Sequence, residues 1–154
     1  MDDIYEDFWA AFLEETGTPE TTFLENYTYF GDSEEASVDA LEQFLSGERT
    51  AVSHCVSVYL ATKQRMPRIG DYTMVTDFYG NPGCILHTLD VTIAPMSELS
   101  KTLIEQECPG VERESWLQDR RKEYTALAER FGFHYNDDLP VLMETVELVY
   151  PTKK

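Results

Sequence analysis

Arg49, Thr50 and Ser53 are the residues from which chemistry is most readily built in this chain. They lie in the run Gly47-Glu48-Arg49-Thr50-Ala51-Val52-Ser53-His54, where a helical pattern gives way to a strand pattern. A guanidinium beside two hydroxyls can read an anion or the edge of a base through charge-assisted hydrogen bonds. The alternative use of Arg49 is as a surface cation, since the chain has 12 Lys or Arg against 29 Asp or Glu. No generic catalytic signature accompanies these residues. There is no phosphate-binding glycine loop, no Gly-x-Ser-x-Gly and no His-Glu-x-x-His. His54, His87 and His134 lack metal-ligand spacing and read as structural or exposed histidines. Neither a metal nor a cofactor is expected.

The chain that must position these groups has 154 residues, which fits one domain spanning 1–154. That length buries a core without disulfides or a structural metal. Cys55, Cys84 and Cys108 are widely separated with no Cys-x-x-Cys pair, which argues against a disulfide framework and a zinc site. They read as three mostly buried thiols in a reducing cytoplasm. The acidic start, Met-Asp-Asp-Ile-Tyr-Glu-Asp, is no signal peptide, and no stretch approaches a membrane span. A cytoplasmic location without a membrane partner is the expectation. The formal charge of −17 cuts against duplex DNA or bulk RNA, because phosphate-driven affinity needs clustered Lys and Arg. Its simplest use is a solvated surface.

The elements follow from periodicity. Asp2 or Asp3 caps a first helix whose stripe is Ile4, Tyr5, Phe8, Trp9 and Phe12, ended by Gly17 and Pro19. Residues 20–32 have mixed spacing and stay ambiguous. Asp32 or Ser33 caps a second helix, with Glu34 and Glu35 in its first turn and Val38, Leu41, Phe44 and Leu45 as its buried face. Gly47 ends it. A strand is predicted from Thr50 through Leu60, where Val52, Val56, Val58 and Leu60 alternate with smaller residues. The loop with Lys63, Arg65 and Arg68 is locally basic. A strand from Tyr72 to Phe78 turns at Tyr79-Gly80-Asn81-Pro82-Gly83 into a return strand, Cys84 to Ala94. Ser97 or Ser100 caps a short helix ending near Gln106 or Glu107. A long helix, Arg113 to Phe131, carries Trp116, Leu117, Tyr124, Leu127, Ala128 and Phe131 on one face, and Gly132 closes it. Val141 to Tyr150 is a closing strand. The layout is α+β.

From Gly31-Asp32-Ser33 through Phe44-Leu45-Ser46-Gly47-Glu48-Arg49-Thr50-Ala51 the chain resembles the ASCH domain family, in its larger bacterial branch. Further stations recur in the same order: Pro67-Arg68-Ile69-Gly70-Asp71, the Asp-x-x-Gly-Asn-Pro hairpin from Asp77 to Pro82, and Cys84-Ile85-Leu86 leading to Val91-Thr92-Ile93-Ala94-Pro95. Glu105-Gln106-Glu107, Ser115-Trp116 and Glu147-Leu148-Val149-Tyr150-Pro151 complete the set. The resemblance spans residues 31–151 and leaves 1–30 as an N-terminal helical extension. It implies a PUA-like fold, a small β-barrel with flanking helices around a central cleft. It also implies binding of RNA or nucleosides.

Some small members of that family are amidohydrolases acting on an acetylated cytidine through a Lys, a Thr three residues on, and a Glu. Here Arg49 stands at the Lys position, Val52 at the Thr position and Glu107 at the Glu position. Arginine does not deprotonate to become a general base, and valine offers no nucleophile. Ser53 is one residue off and is expected to face away. Trp116 and Arg120 are four apart on one helix face, so the indole could stack on a base while Arg120 joins Arg49 on a phosphate or carbonyl. The alternatives are a core Trp116 and a surface Arg120. Two function classes follow. One is a binding module for a nucleoside, nucleotide or short single-stranded RNA, using Arg49, Thr50, Ser53, Trp116 and Arg120. The other is a hydrolase of a modified nucleoside or RNA, with Glu107 as acid–base, Arg49 stabilising the oxyanion or phosphate, and Thr50 or Ser53 orienting water or substrate. Either works as a monomer or homodimer.

Overall fold

In the computed structural model, which describes residues 3–152, the chain runs α1 (Asp3–Thr16), β1 (Asn26–Thr28), α2 (Glu34–Leu45), β2 (Ala51–Cys55), α3 (Val56–Thr62), β3 (Tyr72–Thr76), β4 (Pro82–Pro95), a 3-10 turn (Met96–Glu98), α4 (Lys101–Glu107), α5 (Arg113–Phe131) and β5 (Pro140–Tyr150). The strands form one sheet in the order β1-β3-β4-β5-β2. β1 pairs with β3 in parallel, whereas β3 with β4 and β2 with β5 are antiparallel. The fold is α+β and PUA-like, as expected. Among the described residues no helix is long and apolar enough to cross a membrane.

The chain divides into two compact units, the first holding residues up to Glu48, Gly70–Thr88 and from Val146 on, the second Arg49–Ile69 and Leu89–Thr145. In the first unit Phe12, Met74 and Ile85 are the buried centre, with Tyr5, Phe8, Trp9, Tyr72 and Tyr150 packed on them. The expected α1 stripe is therefore present except for Ile4, which is exposed. Of its two expected caps, Asp2 lies outside the described residues and Asp3 is the first residue of the helix itself. The ambiguous segment supplies β1. α2 starts where Ser33 Oγ accepts from the Ala36 N–H at 3.1 Å. Its buried stripe is Ser37, Ala40, Leu41 and Phe44. Val38 and Leu45, expected inside, are exposed because small residues at 37 and 40 complete the 3-4 spacing. A Cβ on Gly83 would fall 2.4 Å from Leu41 Cδ2, so only glycine lets β4 approach α2 this closely. The expected hairpin is present: Asp77 Oδ1 accepts from the N–H groups of Tyr79 and Asn81, each at 2.9 Å.

The second unit buries Ala51, Cys55, Met96, Leu99, Ile104, Trp116, Leu117, Tyr124, Leu139, Val141 and Met143 together. α4 takes its cap from Ser100, and α5 has the predicted bounds, closing at Gly132 with φ +76°. The predicted strand from Thr50 to Leu60 is corrected. β2 stops at Cys55, and Val56–Thr62 is α3, which ends at Lys63 in the left-handed conformation. The ladder explains the change. Cys55 pairs with Val141, and the next partner on β5 would be Pro140, which has no N–H to donate. Beyond that point the chain satisfies its own backbone groups as a helix. The three cysteines are free, with Cys55 and Cys84 buried and Cys108 half-buried.

Candidate functional site

Glu107 is the last residue of α4 and its side chain is 2% exposed. A carboxylate at a helix C-terminus meets partial charges of its own sign, so it needs donors from elsewhere. β2 and α5 provide them. The Thr50 N–H donates to the Gln106 carbonyl at 2.8 Å and ties the end of α4 to the start of β2. Ser53 then presents two donors: its hydroxyl to Glu107 Oε1 at 2.8 Å, and its backbone N–H to Oε2. From α5, Trp116 Nε1–H donates to Oε1 at 2.9 Å.

Two guanidinium groups complete the surround. Arg49 Nη2 lies 3.6 Å from Glu107 Oε2, and Arg120 Nη1 lies 3.5 Å from Oε1. Arg49 is steered by its own strand, since its Nε–H donates to the Ala51 carbonyl at 3.1 Å. Arg120 sits over the Trp116 ring at 5.6 Å and also faces Glu123 at 3.4 Å. Burial lowers the Arg49 pKa against the pull of Glu107. Burial acts the same way on Arg120, but Glu123 and Glu107 together outweigh it and hold Arg120 above the ordinary arginine value. Two cations thus share one buried anion. The Tyr124 hydroxyl, one turn beyond Arg120, is buried without a hydrogen-bond partner, as is Arg120 Nε, and burial pushes the phenol far above the ordinary tyrosine pKa.

The structure brings Arg49, Ser53, Glu107, Trp116 and Arg120 together within the second unit. Thr50 contributes its main chain. Two expectations change. Ser53 does not face away: it shares the α4 side of β2 with Glu107, and Val52 is the residue on the other side, opposite Glu144. Trp116 does not offer a face for stacking, because it is 1% exposed, carries Arg120 over its ring and spends its N–H on Glu107.

A second constellation on β2 was not anticipated. His54 Nε2 lies 2.8 Å from Glu144 Oε1, and Tyr59 Oη lies 3.0 Å from His54 Nδ1. One tautomer satisfies both contacts: Nε2–H donates to Glu144, and Nδ1 accepts from the Tyr59 hydroxyl. Burial, with Glu144 adding to it, raises the Tyr59 pKa. The signal available in the sequence was Glu144 itself, a lone carboxylate within the apolar run Val-Leu-Met-Glu-Thr-Val.

None of the curated proteins compared with the chain is significantly similar in sequence. Solved structures are similar in fold. An ASCH domain from Lactobacillus crispatus superposes with a TM-score of 0.87 at 21% identity, covering 97% of this chain and 96% of that one. A protein of Enterococcus faecalis superposes with a TM-score of 0.84 at 22% identity, covering 94% of this chain and 89% of that one. At such identity the likeness speaks for the fold alone. The family model described as ASCH domain matches residues 26–150, most of the chain, and on that match the chain belongs to the ASCH domain family.

Proposed function

We propose that the Glu107 cluster is the recognition site of a module that binds a nucleoside, a nucleotide or one exposed base of a short single-stranded RNA. The observation that carries this reading is the convergence of Arg49 and Arg120 on a single buried carboxylate in a chain of net charge −17. Glu107 accepts from Arg120 Nη1 at 3.5 Å and faces Arg49 as an ion pair at 3.6 Å. Two guanidinium groups converging on one buried carboxylate, with the half-exposed Glu123 beside Arg120, gather N–H donors suited to a phosphate or a base carbonyl. Ser53 and Trp116 hold the carboxylate, and the carboxylate in turn holds the arginines. The acidic remainder of the chain restricts the ligand to something small and disfavours duplex DNA.

A second reading, hydrolysis of a modified nucleoside or RNA, draws on the 2.8 Å contact between Ser53 Oγ and Glu107, a nucleophile–base distance. Arg49 would then stabilise developing negative charge. Against it, both oxygens of Glu107 are engaged by other donors as well, which lowers their availability to a proton in transit.

A thermal-shift panel of nucleosides, acylated nucleosides, nucleotides and short single-stranded RNA at low salt tests the proposal. A compound-specific rise in Tm is expected, and Arg49→Ala should weaken the binding by about 1.5–3 kcal/mol, roughly ten- to a hundredfold. A flat response across the panel rejects the nucleoside reading. Turnover of the binding compound would shift the function to hydrolysis. Glu107→Gln separates the two poorly by itself, since its amide NH₂ would oppose donors already aimed at position 107. Ser53→Ala, which spares the charges, should leave recognition largely intact and abolish Ser53-dependent turnover.

A further inference from the structure

Three aromatic rings of the first unit stand together at the surface with no role in the Glu107 cluster. Tyr29, Phe78 and Tyr79 form a ladder: Tyr29 and Phe78 have centroids 5.4 Å apart, and Phe78 and Tyr79 5.5 Å apart, both edge-to-face. Their exposures are 45%, 38% and 68%. Large aromatics this open are unusual on a free surface and mark interaction sites. The ladder is also held in place. The Asp77 turn fixes the hairpin that carries Phe78 and Tyr79, and the Tyr79 hydroxyl donates to Glu34 Oε2 at 2.9 Å. Beside it, Glu34 shares with Ser33, Glu35, Val38 and Asp39 a concavity of about 470 Å³. Aromatic surface and fixed carboxylates therefore lie side by side.

We propose that this patch docks an arginine-bearing basic segment of a partner protein. Guanidinium groups stack on aromatic faces and pair with carboxylates, and the patch offers both within one side chain's reach of Glu34. The chain's charge of −17 draws such a segment in from solution. The same charge argues against the two other occupants. A second copy meeting the patch isologously would set Glu34, Glu35 and Asp39 against their own equivalents, and a nucleic acid would bring phosphates to them. The patch is independent of the nucleoside reading, because its residues belong to the first unit and those of the Glu107 cluster to the second.

Fluorescence anisotropy with labelled nona-arginine and nona-lysine peptides at 150 mM salt is the test. Both carry the same charge, so a diffuse acidic field binds them alike. The wild-type protein should bind nona-arginine at least fivefold more tightly. Tyr79→Ala should erase that preference, and Tyr79→Phe, which keeps the ring, should retain it. Glu35→Gln should weaken both peptides more than Glu129→Gln does, an exposed carboxylate on α5. Tyr79 is mostly exposed, so an unchanged unfolding midpoint for Tyr79→Ala is expected, and Glu35→Gln tests the patch without altering a ring. Equal affinity for the two peptides, no loss in Tyr79→Ala, or equal losses in Glu35→Gln and Glu129→Gln would each overturn the proposal. So would self-association by sedimentation that Tyr79→Ala dissolves, which would make a second copy the occupant.

Discussion

Ser53 and His54 are neighbours on β2, and their side chains enter polar networks of different kinds on its two sides. On the Ser53 side the contacts converge on one acceptor: a hydroxyl, a backbone N–H, an indole N–H and two guanidinium groups all address Glu107. On the His54 side donors and acceptors alternate, from the Tyr59 hydroxyl through the imidazole to Glu144. The first network depends most on one residue, because Glu107 is the acceptor that its hydroxyl, backbone, indole and guanidinium donors share. The second can redistribute, because an imidazole exchanges tautomers and a phenol both donates and accepts. A convergent network suits a site that must keep two cations in place. An alternating one suits a joint between elements, here β2, α3 and β5.

The comparison breaks most sharply at Glu107. Glu107→Ala strands buried cations and donors together and should cost about 3–5 kcal/mol in chemical denaturation. A loss below about 1 kcal/mol would mean that the cluster is solvated and the carboxylate is no keystone. Glu107→Gln against Glu144→Gln is the next sharpest contrast. The first turns an amide NH₂ towards donors and should cost about 2–3 kcal/mol, whereas the second keeps an oxygen for His54 and should cost about 1 kcal/mol. Equal costs would erase the distinction between the two sides. Ser53→Ala and Tyr59→Phe each delete one hydroxyl, for about 1 kcal/mol each. Their effects should add within about 0.5 kcal/mol in a double-mutant cycle, since they share no partner.

The smallest expected effect has the opposite sign. Tyr124→Phe removes a buried hydroxyl without a hydrogen-bond partner and should be neutral or stabilising by up to about 1 kcal/mol at pH 7. The same substitution bears on alkaline stability. Tyr124 and Tyr59 both have pKa values raised by burial in the folded protein. The folded state therefore holds its phenol protons above pH ~10, the ordinary tyrosine value, where the unfolded chain releases them. Stability should fall as pH rises past that point, and Tyr124→Phe should flatten the decline more than Tyr59→Phe. A decline of unchanged slope in Tyr124→Phe would assign the alkaline loss to other groups.

Helix bounds were legible where packing and local signals agreed. α5 could be drawn from Arg113 to Phe131 because a wide apolar stripe and a closing glycine coincide. α2 was legible at its ends, through Ser33 and Gly47, but not on its buried face, because Ser37 and Ala40 bury without looking hydrophobic. The end of β2 depended on a partner 85 residues beyond Cys55: Pro140 on β5 stops the ladder there, and nothing in Val56-Ser57-Val58-Tyr59-Leu60 announces that. At the site, Arg49 and Ser53 were visible as residue types in an informative place, and Glu107 through resemblance. Their geometry was not visible, since the face of β2 that carries the site depends on where α4 packs. The His54 network stayed hidden because its members are scattered over 91 residues of sequence and meet only through strand pairing.

The interleaving of the two compact units sets an order on synthesis. The second unit's residues are complete once Thr145 has been made, whereas the first, although it contains the N-terminal helix, still lacks the segment from Val146 to Tyr150. α1 precedes the whole second unit in the chain, yet its own unit is completed only after that unit, against the usual vectorial sequence in which segments made earlier fold first. Phe8 and Phe12 of α1 pack on Tyr150, so these aromatics have to wait for the last residue of β5 before their ring contacts can form.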